Sequence, residues 1–417
     1  MASFLVLLQL MIAALASAAS VSTTISVPNI LTPHRELSPP FRVTPRNLGF
    51  SVATISNWGY LHDYSINSSY TITRRLPPTL CSILNRTFWF SGPEQIQDAQ
   101  KRTVASSSSS VAMALNFSHP SWIRELSPRP DIDWPVIPVT PAEQFVSVTY
   151  QQTYLFQPTA HCSLINDTSA VQFWTAWSQN SVPVGGYNCF HGFGSSLIIY
   201  TFDPATHKLS ISRPAPVTQK SAIQYPYGSF STLTVQGMTY LYGWDVFYPP
   251  TDDEGNDNGS GGNHRDIHVA VAPTSTIADK STWKYYDNST GTFSSTEPLP
   301  IYRRRSAAII TLNDFSSEFE NTFTSASIFY SEYHDAYLLV YAPIYPPGVY
   351  VRFAPTPLGP WSSAGTKIMD AKQFGYSVVR YALASPIFFQ TDGNGGQSLL
   401  LTLSGDYETQ AFKLNFA

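Results

Sequence analysis

Charge is scarce in this chain: Asp, Glu, Lys and Arg make up 12% of 417 residues, and the net charge is −4. Low charge beside 14% aromatics argues against disorder and for sheets. Helical periodicity is nearly absent; residues 279–283 and 315–319 read as single turns at most. After the apolar stretch at the start, no second run is long enough to anchor the chain in a bilayer. Cysteine occurs three times, with no Cys-x-x-Cys or His/Cys spacing of a zinc site. A phosphate loop, a dinucleotide fingerprint and a Gly-x-Ser-x-Gly elbow are all missing. Basic residues do not alternate with aromatics, and Arg303-Arg304-Arg305 is one short run. Residues 252–264 hold Glu254, Asn256, Asn258 and Gly259 in partial calcium-loop order. The twelfth position is Arg265, so this stretch reads as a solvated loop. These absences predict no metal site, no cofactor, no nucleic-acid partner and no membrane partner.

Several features point to export. Residues 4–16 are apolar and end in Ala16-Ser17-Ala18, a small-x-small cleavage pattern, although no Lys or Arg precedes the run. Residues 1–18 therefore read as a signal peptide and the protein as secreted and extracellular. Sequons at Asn67, Asn85, Asn116, Asn166, Asn258 and Asn288 are expected to carry glycans. An odd cysteine count leaves one thiol free or externally paired, and three internal pairings are open. The favoured pairing is Cys162 with Cys189, which flank one candidate hairpin. Residues 19–45 are rich in Pro, Ser and Thr and read as a leader draped on the surface, ahead of a propeller domain at 46–417. A monomer is expected.

The strongest positive signal is a repeated strand phrase. His268-Val269-Ala270-Val271-Ala272-Pro273-Thr274 and Tyr350-Val351-Arg352-Phe353-Ala354-Pro355-Thr356 each follow two shorter strand-like runs. Each also precedes a tryptophan, Trp283 or Trp361. A unit that recurs with insertions predicts an all-β propeller with long loop insertions. Residues 50–55 and 58–64 are expected to form a hairpin turning at Asn57 and opening the first blade. The C-terminal strand is expected to join the sheet that the N-terminal segment starts, closing the ring. Asn47 to Ser51, Ser229, Ser327 and Tyr376 to Ser377 are expected to line a shared axial channel. Asp63, Asp245 and Glu332 are expected around its mouth.

Arg46-Asn47-Leu48-Gly49-Phe50-Ser51 and Gly59-Tyr60-Leu61-His62-Asp63-Tyr64 carry a family resemblance. So do Pro226-Tyr227-Gly228-Ser229-Phe230, residues 325–333 and Gly359-Pro360-Trp361-Ser362. In this order they resemble the domain-of-unknown-function 4185 proteins, especially secreted fungal members. The resemblance implies a five-bladed β-propeller related to arabinan- and furanoside-cleaving hydrolases, with catalytic acids in the first blade. The second acidic position falls on Asp63. The first falls on Asn47, where this chain departs from the pattern.

Glycoside hydrolysis usually needs two carboxyl groups, and an amide cannot shuttle a proton. Asp245 and Glu332, both near strand ends, are the candidates to replace the lost acid. His62, His268, Arg46, Arg380, Trp58, Tyr227 and Trp244 are candidate substrate contacts, and Asn47 a binding amide. Two readings follow. One is a secreted carbohydrate-active protein of glycoside-hydrolase type, acting on pentofuranose-containing, arabinan-like polysaccharide. The other is a non-catalytic glycan-binding propeller that has lost an acid.

Overall fold

The computed structural model describes residues 21–27, 39–60, 62–63, 70–74, 79–92, 94–98, 100, 102–107, 109–114, 122–125, 137–140, 152–158, 161–180, 190–214, 224–225, 227–245, 265–297, 307–312, 326–343, 345–385, 396–405 and 409–417. Strands dominate and form five blades around one axis. In each blade the chain starts at the axis and steps outward; in the second and third blades two strands share the innermost position. Blade one runs Thr79–Ile83, Arg86–Ser91, Ser110–Ala114 and Trp122–Glu125, with His62–Asp63 outermost. Blade two starts with Gln152–Pro158 and Ser163–Asn166, both paired to Ser169–Asn180. Phe190–Asp203 and Lys208–Arg213 follow, and Val21–Ser26 lies outermost. Blade three runs Ser231–Val235, Met238–Asp245, Arg265–Pro273, Lys284–Asp287 and Thr292–Ser294. Blade four runs Ala326–Ser331, Ala336–Tyr341, Gly348–Ala354 and Thr366–Asp370. Blade five runs Tyr381–Ser385, Ser398–Ser404 and Thr409–Phe416, and Val52–Tyr60 completes it.

The two repeated phrases are the third strands of blades three and four, the same position in consecutive blades. Alternation explains why both faces are apolar. Each blade is sandwiched between two neighbours, so residues on both sides of a strand enter a core. Five apolar clusters result, one at each blade-to-blade interface. The last joins Leu80, Trp89 and Ala112 of blade one to Leu400 and Ala411 of blade five, so the ring is closed. Gly228 lies where blades two and three meet. Its φ is +87°, and a Cβ there would stand 2.6 Å from the Phe173 ring, so backbone conformation and space both require glycine.

The ring closes through the N-terminal strand, as expected: Val52 pairs with Phe416 and Tyr60 with Gln410. The expected hairpin at Asn57 does not form. Val52–Tyr60 is one strand with its register shifted between Asn57 and Gly59. There the Asn57 Oδ1 accepts the Gly59 N–H at 2.7 Å. The turn-forming chemistry of Asn57 is used for a bulge, because a complete partner strand outweighs the local turn preference. This strand is consequently the outer edge of the last blade, and Asn47 to Ser51 do not reach the axis. Part of the expected leader is also structured. Val21–Ser26 is the outer strand of blade two, while the Tyr337 hydroxyl donates to the Pro40 carbonyl.

Inner strands are stitched across the axis by small hydroxyl residues. Ser231 Oγ accepts the Ile328 N–H and Ser327 Oγ accepts the Ala384 N–H, both at 2.9 Å. Ser163 Oγ donates to Thr232 Oγ1, which donates to the His161 carbonyl. His161 spans two further blades: Nδ1 accepts the Leu80 N–H at 3.2 Å, and Nε2 lies 2.6 Å from the Ala384 carbonyl. Acceptance at Nδ1 fixes the neutral tautomer with its proton on Nε2, so Nε2 donates. Ser327 and Ser229 are almost fully buried and serve packing between blades, in place of the expected open channel.

The disulfide joins Cys81 to Cys162, with Cα atoms 5.1 Å apart. This corrects the expected Cys162–Cys189 pairing. Cys81 lies on the inner strand of blade one, and Cys162 immediately precedes the inner strand of blade two, so neighbouring blades bring distant residues together. Cys189 lies outside the described residues. No described helix is long and apolar enough to cross a membrane.

Candidate functional site

Strand direction sorts the candidate residues into two groups. Inner strands run in one sense, so all inner hairpins turn at one end of the ring and all second strands finish at the other. Glu332 follows the inner strand of blade four and lies at the inner-turn end. Asp245 closes the second strand of blade three and lies at the opposite end. The strand from Met238 to Asp245 covers seven steps of chain, about 24 Å at roughly 3.4 Å per residue. Glu332 and Asp245 are therefore not brought together as an acid pair. Asp63 does not share the Asp245 end: it pairs with Ile123, which stands opposite Ala114 at the inner-turn end of blade one, and it lies on the outermost strand. Four strand spacings, about 19 Å in all, separate that position from the inner strand. The side chains of His62, Asp63, Trp244 and Asp245 lie outside the described residues.

At the Asp245 end, blade three gathers several candidates. Trp244 stands between Tyr225 and Ile267, Asp245 opposite Gln224, and Gly243 opposite His268. Ile310–Leu312 also pairs with Arg265–Ile267, widening this end of the sheet. Behind it, buried Asp266 accepts the Thr311 hydroxyl at 2.6 Å. His268 and Tyr227 are 4% and 2% exposed, so both are core residues with no open face for a ligand. Tyr227 packs on Tyr285 with ring centroids 5.1 Å apart. Trp58 is half-buried against the cluster that joins blades one and five. Arg380 is exposed, and its backbone N–H donates to the Ser404 carbonyl.

At the inner-turn end, the structure unites three candidates that sequence reasoning kept apart. Arg46, Asn47 and Glu332 line one depression of about 570 Å³ together with Tyr330, Tyr333 and Asp335. The Asn47 Nδ2 donates to the Tyr333 carbonyl at 2.9 Å, and Arg46 donates to the Glu332 carbonyl at 3.2 Å. The Tyr330 hydroxyl donates to Asp335 Oδ1 at 2.7 Å, and burial, with Asp335 alongside, raises the Tyr330 pKa. Asp335 was missed at the sequence level. Its only signal is its place in a Ser331–Asp335 turn, with φ of +44°.

Asn47 thus has a structural duty that an acid cannot perform. Asn47→Asp would lose the donor to Tyr333 and add negative charge beside Glu332 and Asp335. We expect a stability loss of about 1 kcal/mol and no gain of hydrolysis. Thermal melts and a polysaccharide assay on the variant check both.

The inner strands of the five blades contain no Asp or Glu among the described residues. Groups of three or more His, Cys, Asp or Glu fit to hold a metal are also absent among the described residues. Among the sequons, Asn85, Asn166 and Asn288 are exposed and lie at hairpin turns. Asn67, Asn116 and Asn258 are outside the described residues.

No protein-family model matches the chain, and no curated protein matches it. Solved structures similar to this chain include glycoside hydrolases. A thermostable family-43 glycoside hydrolase is 12% identical, over 85% of this chain and 93% of that one, with a TM-score of 0.41. A family 117 glycoside hydrolase, Zg3597 of Zobellia galactanivorans, is 11% identical over 88% and 91%, at 0.42. An exo-1,5-alpha-L-arabinanase from a bovine ruminal metagenomic library is 13% identical over 84% and 96%, at 0.40.

Proposed function

We propose that this chain is a secreted carbohydrate-active protein of glycoside-hydrolase type, taking pentofuranose-containing polysaccharide at the end of the ring where the second strands finish. The observation that carries the reading is the register of blade three, which places Asp245 opposite Gln224 at the finish of the second strand, on a sheet end widened by Gln224–Tyr225 and Ile310–Leu312. A carboxylate at such a strand end can accept hydrogen bonds from the hydroxyls of a sugar. The ordered motifs resembling the secreted fungal 4185-type proteins support the same class, and the sequons and apolar N-terminus support export.

In this reading Asp245 supplies one carboxyl group. Asp63, on the outermost strand, does not supply the other. Asp245→Asn is expected to lower turnover of an arabinan by about 100-fold or more, the usual weight of a proton-transferring group. Asp63→Asn is expected to stay near wild type. A panel of arabinans and other polysaccharides, followed by reducing-end release, makes the comparison. Equal activity in wild type and Asp245→Asn would remove Asp245 from the reaction.

The binding-only reading has its own support in the lack of carboxylates on the described inner strands. It expects retention of the protein in gels containing the polysaccharide, with no release of reducing ends from any member of the panel.

A further inference from the structure

The depression at the inner-turn end lies across the ring from Asp245, and the reading above gives it no task. We propose that it is a second carbohydrate site, which holds a neutral saccharide through its hydroxyls without cleaving it. The site is built from distant pieces of chain: the stretch before the outer strand of blade five and the inner hairpin of blade four. Their junction is pinned at several points. The Arg46 backbone N–H donates to the His334 carbonyl at 2.7 Å, and Asn47 and Arg46 hold the Tyr333 and Glu332 carbonyls. The Tyr333 hydroxyl donates to the Ala417 carbonyl. Beneath the junction, the His334 ring packs between Phe50 and Phe416, at centroid distances of 4.7 and 4.6 Å. A floor packed in this way does not have to be ordered when a ligand arrives.

The lining chemistry selects the ligand class. One guanidinium, two carboxylates and an amide stand interspersed between two tyrosines. A lone cation would meet Arg46, and an anion would meet Glu332 and Asp335. Sugar hydroxyls donate and accept at once, so neighbouring hydroxyls can give protons to a carboxylate and take one from the guanidinium. The volume lies within the roughly 300–1,000 Å³ common to small-molecule sites, enough for a few sugar units. Placement on the far end means that a strand held here is anchored while another part of the polymer reaches the Asp245 end.

The test uses the full chain and reads binding alone, so its failure is separate from any failure to find hydrolysis. Calorimetric titrations would use neutral arabino-, xylo- and cello-oligosaccharides, with calcium chloride as a separate arm. The double variant Glu332→Gln, Asp335→Asn keeps shape, and Asn tolerates the left-handed backbone of position 335. Arg46→Gln serves as an independent second variant, and melts confirm that each is folded. We expect at least one oligosaccharide to bind wild type, and either variant to weaken it by about tenfold or more, the effect of a lost charge-assisted hydrogen bond. The fall caused by either variant should be the same when it is made in an Asp245→Asn background, since that residue stands at the other end of the ring. The proposal is overturned if no oligosaccharide binds at millimolar concentration. It is equally overturned if affinity survives both variants, or if the depression takes calcium and not sugar.

Discussion

Between pH 6.5 and 4 this protein is expected to lose about 6 kcal/mol of folding stability, through His161 and His334. Burial lowers the pKa of both rings to about 4. For His334, the positive charge of Arg46 adds to burial. His161 cannot take a second proton without turning Nδ1–H toward the Leu80 N–H that it now accepts. His334 is fully buried, and neither ring nitrogen has a hydrogen-bond partner among the described residues. Its surroundings include the charged groups Arg46, Glu332 and Asp335 and the aromatic rings of Phe50, Tyr333 and Phe416. The sign follows from the depressed folded-state values. Above pH 6.5 both states hold neutral rings and nothing changes. Below it the unfolded chain binds protons that the folded ring refuses, so stability falls by about 1.4 kcal/mol per pH unit for each histidine. The fall stops near pH 4, where the folded rings also protonate. Urea midpoints measured from pH 7 to 4 check this. His334→Phe should flatten about half of the slope, since phenylalanine suits the aromatic surroundings and cannot titrate. Midpoints that stay level through the interval would refute the assignment.

Removal of the Cys81–Cys162 bridge should be the largest single-site loss. The bridge closes a loop of 81 residues, for which the chain-entropy account gives about 4.5 kcal/mol. The bonded pair also ties the inner strands of two blades beside His161, so its loss loosens the axis at the point where three blades meet. Cys81→Ala with Cys162→Ala avoids leaving a buried thiol or hydroxyl at position 81, which is fully enclosed. Denaturation curves of wild type with and without a reductant, beside the double variant, measure the effect. A wild-type midpoint indifferent to the reductant would show that the bridge contributes no stability. The double variant should respond to reductant not at all.

The propeller class was legible because blade strands carry apolar residues on both sides and recur with the same ending at a proline, as in residues 268–274 and 350–356. Closure by the first and last strands was legible too, since an unpaired strand at each end of the pattern can only be satisfied by the other. Three things were not. Asn57 carries a turn signal, but the partner strand from Thr409 to Phe416 absorbs it as a bulge. Cysteine spacing favoured Cys162 with Cys189, whereas contact across a blade interface joins residues 81 positions apart. Most consequentially, Glu332 and Asp245 look alike in sequence, each an acid at the end of an aromatic strand. Which end of the ring each occupies depends on whether its strand is first or second from the axis, and local pattern does not carry that count. The same parity brought Glu332 to Arg46 and Asn47, nearly three hundred residues earlier in the chain.

The manner of closure sets an order of events during synthesis. Val52–Tyr60 leaves the ribosome more than 340 residues ahead of Thr409–Phe416, its only strand partner among the described residues. Until that partner arrives, a nine-residue strand travels with unpaired N–H and C=O groups along both edges, a template for adhesion to any other extended chain. Blades one to four can pack as they emerge, each against its predecessor. Blade five must wait, and the long-range pairing that finishes it is the slow step that high contact order imposes. Its three other strands follow at the end of the chain, so a strand made early is among the last to be housed. The nascent protein therefore depends on whatever shields that strand in transit, and a pause in elongation after blade four would prolong the exposure.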